Sequence, residues 1–81
     1  MEMIDLQAAR QANLITVLRE LETDGVVGLG LKAEVLGTTD RVLEAILEGR
    51  AMPDELAREI EWAAQKPAGW MDEEHRFGPP L

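Results

Sequence analysis

The apolar positions of this chain recur with a helical period in several separate stretches. In the first stretch, residues spaced three or four apart predict an amphipathic helix between Asp5 and Glu22. Gly25 predicts the end of this helix, because glycine readily adopts the left-handed conformation that closes a helix. The alternation of apolar and polar residues that is typical of strands is absent, so the pattern predicts an all-α chain. The apolar stripe of the first helix is Leu14, Val17, Leu18 and Leu21.

Two short helices are predicted next. The first covers about residues 29–36 and ends at Gly37. Thr38 or Thr39 can cap the second by accepting hydrogen bonds from its free amides, and this helix reaches about Glu48. Its inward side is predicted to be Val42, Leu43, Ile46 and Leu47.

A fourth helix is predicted from Pro53 to about Gln65. Proline at the first helical position, followed by two carboxylates near the positive end of the helix dipole, is typical of a helix start. Pro67 stops the helix, and one more turn is predicted at residues 69–72.

The composition favours one small folded domain. The 81 residues are 46% hydrophobic and 30% charged, a balance typical of globular proteins. We therefore expect a compact bundle of four or five short helices, with a domain over residues 1–72 and a C-terminal tail over residues 73–81. The sequence contains no cysteine, which excludes a disulfide framework, a thiolate zinc site and a cysteine nucleophile.

The net charge of −8 is spread evenly, because residues 1–40 and residues 41–81 each carry four more acidic than basic groups. Such a field repels phosphate backbones and anionic lipids unless a local basic patch overrides it. No apolar run approaches the roughly 20 residues that cross a bilayer, and residues 1–5 are acidic where a secretory signal is basic. We expect a cytoplasmic protein with no membrane partner.

Residues 33–46 have the features of a helix-turn-helix. Ala33 offers a small side chain where two helices would cross closely, and Gly37, four residues later, offers the turn. Leu43 and Ile46, at helical spacing, can seat the second helix on the core.

Residues 36–50, Leu-Gly-Thr-Thr-Asp-Arg-Val-Leu-Glu-Ala-Ile-Leu-Glu-Gly-Arg, resemble the turn and recognition helix of lambda-repressor-like (Cro-type) helix-turn-helix regulators of phages and prophages. Residues 52–61 and the Gly-Trp-Met-Asp segment at residues 69–72 are similar to the next helix and the ending of many such repressors. The resemblance covers about residues 13–72. It implies a compact five-helix fold, sequence-specific binding to operator DNA, often as a dimer, and no cofactor.

The outward side of the predicted recognition helix follows from the 100° step between successive helical residues. Arginine there can read guanine or bind a phosphate, and glutamate can accept a hydrogen bond from cytosine. Structural roles are the alternatives: a helix cap for Thr39, an ion pair with Glu44 or Glu48 for Arg41, and an ion pair with Asp54 for Arg50. The candidate DNA-binding residues are Thr39, Asp40, Arg41, Glu44, Glu48 and Arg50.

This surface is acidic for a DNA-binding protein. Residues 29–50 contain three basic and four acidic side chains, whereas phosphate contacts normally need a basic surplus. Two functions stay open. One is a small transcription regulator that binds DNA as a homodimer. The other is an acidic protein of helix-turn-helix fold that acts on a protein partner, for example a repressor, with little or no DNA binding.

Trp62 is the main candidate for an interface. It lies about 200° from the centre of the apolar stripe of the fourth helix, so its ring is expected to be partly exposed. Exposed tryptophans are strong interface anchors, and Phe77 is the second interface candidate. Folding of the tail over Trp62 is the alternative, while Trp70 is expected in the core.

No set of residues indicates an enzyme. The sequence offers no glycine-rich phosphate loop after a strand and no paired nucleophile and base. His75 stands near Asp72, Glu73 and Glu74, but one histidine among exposed carboxylates is usually solvated rather than a metal ligand. We therefore expect no metal, no cofactor and no small-molecule substrate.

Overall fold

The computed structural model describes residues 5–75. No strand occurs in this part of the chain, which confirms the all-helical prediction. None of its helices combines the length and apolar character needed to span a membrane. The elements are α1 (Leu6–Thr23), α2 (Leu29–Leu36), α3 (Asp40–Leu47), α4 (Asp54–Ala63) and a final 3-10 turn (Trp70–Asp72).

All four α-helices end in the same hydrogen-bonded motif, in which two amides beyond the helix donate back to its last turn. After α2, the amides of Gly37 and Thr38 donate to the carbonyls of Glu34 and Ala33 at 3.1 and 2.9 Å. Gly37 has φ 78° and so supplies the left-handed residue of the motif. In α4 that position is held by Gln65, with φ 61°. Helix α4 ends at Ala63, two residues before the predicted end at about Gln65, because Gln65 belongs to the turn that ends the helix.

The core lies between the inner faces of the four helices and the 3-10 turn. Val42 is 39% exposed, so its predicted inward position was wrong. The short helix α3 turns Leu43 and Ile46 toward the core, which leaves Val42 at the edge. Leu31 of α2 points outward, since its side chain is exposed. The buried apolar cluster is Leu14, Val17, Ala33, Leu36, Leu43, Ile46, Met52, Ala57, Ile60 and Met71.

The first half of α1 contributes polar side chains to the interior. Gln7 binds the loop before α4 twice: its Nε2 donates to the carbonyl of Met52 at 3.1 Å, and its Oε1 accepts from the Met52 amide at 2.6 Å. Asn13 is buried, and its Nδ2 donates to the carbonyls of Met71 and Glu73, each at 2.8 Å. Helix α1 therefore holds both the loop that precedes α4 and the 3-10 turn in place.

Candidate nucleic-acid interface

Helices α2 and α3 are consecutive, are joined by residues 37–39 and pack against each other. Ala33, Leu43 and Ile46, which the sequence assigned to this helix pair, are all buried in the common core. The small side chain of Ala33 is 1% exposed, in keeping with a close helix contact. The outer surface of α3 is consequently set by packing on its inner side.

Both ends of α3 are fixed by side-chain hydrogen bonds. At the start, Thr39 Oγ1 accepts from the amide of Val42 at 3.2 Å, which confirms Thr39 as the helix cap. At the end, Gln11 Nε2 donates to the carbonyls of Ile46 and Leu47 at 3.1 and 3.0 Å. Gln11 belongs to α1, so α3 is tied to the longest helix of the domain.

The candidate DNA-binding residues all lie at the surface of α3 or at its ends. The amide of Arg50 donates to the carbonyl of Ala45 at 2.9 Å, which places Arg50 directly beyond the end of the helix. Arg41 stands in the first turn. The two arginines therefore flank the outer face of α3. The exposed members of the predicted set are Thr39, Asp40, Arg41, Glu44, Glu48 and Arg50.

Most of the cations in residues 5–75 are already paired with carboxylates. Arg10 and Arg58 belong to one ion-pair network, Lys66 pairs with Glu20 at 3.0 Å, and Lys32 pairs with Glu22. The described cations without an ion pair are Arg19, Arg41 and Arg50. Neither of the alternative pairings predicted for Arg41 and Arg50 is formed.

Arg10 and Arg58 converge on Asp72 in the 3-10 turn. Arg10 Nε lies 2.7 Å and Arg58 Nη2 lies 3.0 Å from Asp72 Oδ1. Arg10 also contacts Asp54 Oδ1 at 2.9 Å, so Asp54 pairs with Arg10 rather than with Arg50. The hydrogen bond from Arg10, assisted by Arg58, lowers the pKa of Asp72 from 3.8 to about 2 against the opposing effect of burial.

Glu61 completes this network from α4. It is 2% exposed, and its carboxylate lies 2.7 Å from Arg58. One oxygen also accepts from the amides of Met71 and Gly69 at 2.8 and 3.1 Å. Burial raises the pKa of Glu61, but the hydrogen bonds from Arg58 and from the two amides outweigh it and lower that pKa overall. The carboxylate is therefore held ionised as a link between α4 and the 3-10 turn.

The outer face of α3 keeps the acidic character predicted for it. Asp40, Glu44 and Glu48 are exposed and form no ion pair within residues 5–75. Their carboxylates can accept hydrogen bonds from base amino groups but repel phosphates. The groups at this face that could contact phosphates are therefore its arginines, Arg41 and Arg50.

A second surface lies between α2 and α4. Trp62 is 84% exposed, more than the partial exposure predicted for it. It borders an open groove of about 480 Å³. Phe77, the other interface candidate, lies outside the described residues. The groove is lined by Val35, Leu36, Gly37, Glu55, Arg58, Glu59, Trp62 and Ala63.

Trp70 and His75 form a separate contact near the end of the described chain. Trp70 is half-buried against the core and stacks on the ring of His75 with centroids 4.3 Å apart. Lys66 Nζ lies 4.7 Å from the centre of the Trp70 ring. Across residues 5–75, no group of three or more histidine or acidic side chains is arranged to hold a metal ion.

Sequence reasoning missed the inward-facing polar residues of α1, among which Arg10 is buried and Gln7 and Gln11 are half-buried. Gln7, Arg10 and Gln11 continue the three- and four-residue spacing of the apolar stripe that begins at Leu14. That shared register was the available signal, because residues in register with a buried stripe face the same neighbours. Their partners were not visible, since Arg10 and Asp72 are 62 positions apart.

Comparisons of this chain with protein-family models, with curated proteins and with solved structures give no match.

Proposed function

We propose that this protein is a small helix-turn-helix transcription regulator that binds DNA through α3. The observation that supports the proposal is the placement of the unpaired arginines. Of the three described cations without an ion pair, Arg41 lies in the first turn of α3 and Arg50 lies just beyond its end. Arginines at these positions can bind phosphates or the acceptor edge of guanine.

The rigid attachment of α3 also favours this function. Thr39 caps one end of the helix and Gln11 binds the carbonyls of the other end, so the position of α3 is fixed before it meets DNA. The major groove of DNA admits one α-helix, whose exposed side chains then read the base edges. The resemblance of residues 36–50 to phage repressors leads to the same assignment.

The acidic residues of α3 limit the affinity that this surface can reach. Asp40, Glu44 and Glu48 oppose phosphate contacts, so binding depends on few cations and on base contacts. Association of two chains would present two α3 helices to neighbouring half-sites and raise the affinity. We therefore propose that the functional complex contains two chains bound to one duplex.

The test is a titration of labelled duplexes at low salt, read by fluorescence anisotropy, with random and selected sequences. Arg41→Ala should relax the sequence preference, because a bidentate contact to a base contributes about 1–3 kcal/mol of discrimination. Arg50→Ala should weaken all duplexes alike. Arg19→Ala is the matched control, since it removes an exposed and unpaired arginine from α1.

The same titration includes a double variant, Glu44→Gln with Glu48→Gln. Removing two carboxylates from the outer face of α3 should raise the affinity for random DNA, because repulsion of the phosphates falls. If the wild type and this variant both leave every duplex unbound at low salt, the proposal is rejected. An equal loss for Arg19→Ala and Arg50→Ala would also reject it, since binding would then follow net charge alone.

A protein partner is the second candidate function, and one observation favours it. Trp62 is 84% exposed beside an apolar groove. Large exposed apolar groups of this kind commonly mark protein interfaces. This surface can operate alongside DNA binding, because no residue of α3 lines the groove.

A further inference from the structure

The groove between α2 and α4 is built around exposed apolar side chains. Trp62 from α4 and Val35 from α2 are 84% and 44% exposed, and both line the groove. Leu31 lies one turn before Val35 on the same side of α2 and is 49% exposed. The apolar strip therefore runs from the groove along α2. The floor of the groove is formed by Leu36, which is buried, and Ala63, which is half-buried.

The charges at the rim of the groove are negative. Glu55 and Glu59 line it, are exposed and form no ion pair within residues 5–75. Arg58 also lines it, but its guanidinium is held by Glu61 at 2.7 Å and by Asp72 at 3.0 Å. The cation is thus neutralised by its own neighbours, and the two free carboxylates determine the sign of the local field.

We propose that this groove is a docking site for a basic segment of another protein that carries a large apolar anchor. The apolar floor and the ring of Trp62 would cover the anchor, and Glu55 and Glu59 would pair with flanking lysine or arginine side chains. The volume of about 480 Å³ lies in the range of pockets that bind small molecules, so the groove has room for a large apolar side chain. The proposal is independent of the DNA-binding one.

The charge of the chain selects this occupant over a second copy of the same protein. A second copy brings a net charge of −8 and a groove with the same two free carboxylates. Repulsion between like charges opposes that pairing, whereas a basic segment gains attraction at the rim and burial at the floor. Self-association through Trp62, which the sequence had indicated, becomes the competing outcome of the test.

The experiment uses a Trp70→Phe background, in which Trp62 is the remaining tryptophan of the chain. The probe is a synthetic amphipathic peptide of leucine and lysine. Binding should shift the Trp62 emission to the blue and protect it from quenching by acrylamide. Two peptides serve as controls: one of leucine and glutamate, which keeps the apolar face, and one of serine and lysine, which keeps the charge. Neither control should bind comparably.

Variants of the full chain then locate the site, with a labelled peptide read by anisotropy. Trp62→Ala should weaken binding by about tenfold or more, as expected for an interface anchor. Ile15→Ala is its matched control, since Ile15 is an exposed apolar residue of α1 outside the groove. Glu55→Gln with Glu59→Gln should weaken binding several-fold. Glu44→Gln with Glu48→Gln, which changes the charge equally on α3, should leave it nearly unchanged. Circular dichroism should show the same helix content in all variants.

Three results would overturn the proposal. The first is absence of binding by the leucine and lysine peptide at low salt. The second is binding that the serine and lysine peptide matches, or that both pairs of glutamate variants weaken equally, because either indicates general charge attraction. The third is protection of Trp62 that rises with protein concentration in the absence of peptide, together with dimers in sedimentation, because the occupant would then be a second copy.

Discussion

Arg10 and Glu61 are buried charged residues, and each forms hydrogen bonds or ion pairs with several partners. Arg10 Nε and Nη2 bind Asp72 and Asp54, while its Nη1 donates to the carbonyl of Met52 at 2.8 Å. Glu61 accepts from Arg58 and from two backbone amides. Each of these ion pairs joins a buried group to a partly or fully exposed one, so the pair contributes little relative to apolar packing. The network therefore fixes the position of the 3-10 turn more than it adds to total stability.

Replacement of Glu61 tests this network. We expect Glu61→Gln to lower the free energy of unfolding by about 1–2 kcal/mol, because a neutral amide oxygen accepts less well than a carboxylate from Arg58 and from the amides of the 3-10 turn. Urea denaturation followed by circular dichroism measures the change. Glu59→Gln is the control on the same helix, since Glu59 is exposed, and it should shift stability by less than about 0.5 kcal/mol. Equal effects of the two variants would contradict the assigned role of Glu61.

Asp72 gives the fold a dependence on acid. Its pKa is held at about 2 in the folded chain by Arg10 and Arg58, below the ordinary value of 3.8. A depressed pKa stabilises the fold above the ordinary value, and this stabilisation is lost as the pH falls from about 4 toward 2. Each pKa unit corresponds to about 1.4 kcal/mol, so the loss is about 2 kcal/mol or less, because Asp72 remains partly in contact with water.

The measurement is urea denaturation at a series of pH values between about 2 and 5. Asp72→Asn should be less stable than the wild type near neutral pH and should show a shallower decline over this interval. An unchanged slope in the variant would mean that other carboxylates account for the acid dependence.

At the scale of the element, the type of residue in the left-handed position after a helix decides whether that helix end is strained. Gly37 ends α2 at φ 78°, where glycine has no side chain to clash. Gln65 ends α4 in the same motif at φ 61°, a conformation that disfavours residues with a Cβ atom by roughly 1 kcal/mol. The left-handed residue is therefore favourable at the end of α2 and unfavourable at the end of α4.

Substitution at these two positions should have opposite effects. We expect Gln65→Gly to raise the free energy of unfolding by about 0.5–1 kcal/mol, because it relieves the left-handed strain at the end of α4. Gly37→Ala should lower it by about 1 kcal/mol for conformational reasons alone, since no atom lies within 4 Å of the added Cβ position. Thermal and urea denaturation measure both. A loss of stability in Gln65→Gly would show that the Gln65 side chain contributes more than its strain.

At the scale of the whole molecule, the ion pairs determine which of the few positive charges remain unpaired at the surface. Of the cations described in residues 5–75, those at α1, α2, α4 and the following loop are largely paired, and Arg41 and Arg50 remain available at α3. The net charge of −8 still acts at a distance and slows the approach of DNA. The proposed regulator is thus expected to bind DNA with few phosphate contacts.

The salt dependence of DNA binding measures those contacts. One phosphate contact per chain, made by Arg50, corresponds to a slope of about −0.9 per bound chain in a plot of log K against log salt. Arg50→Ala should reduce the magnitude of the slope by about one, whereas Arg19→Ala should leave it unchanged. A slope near zero in the wild type, or one that Arg19→Ala alters as much as Arg50→Ala, would remove α3 as the phosphate-binding element.

Local pattern was sufficient for the helices and for much of the core. The spacing of apolar residues predicted the helices, and Gly25, Gly37 and the Thr39 cap predicted where they end or begin. Each of these signals acts through neighbours within a few residues along the chain. The exposure of Trp62 followed from its angle on α4 for the same reason. Of the candidate site, the sequence located the exposed face of α3 and its acidic character.

The tertiary structure decided which charges are paired and which are free. Arg10 joins Asp72 across 62 positions, and Asp54 binds Arg10 instead of Arg50. Nothing in the local sequence distinguishes a paired arginine from a free one, because the choice depends on which helices meet after folding. The availability of Arg41 and Arg50 and the negative rim of the groove beside Trp62 are therefore properties of the packed molecule, in which contacts distant along the chain determine the field at each surface.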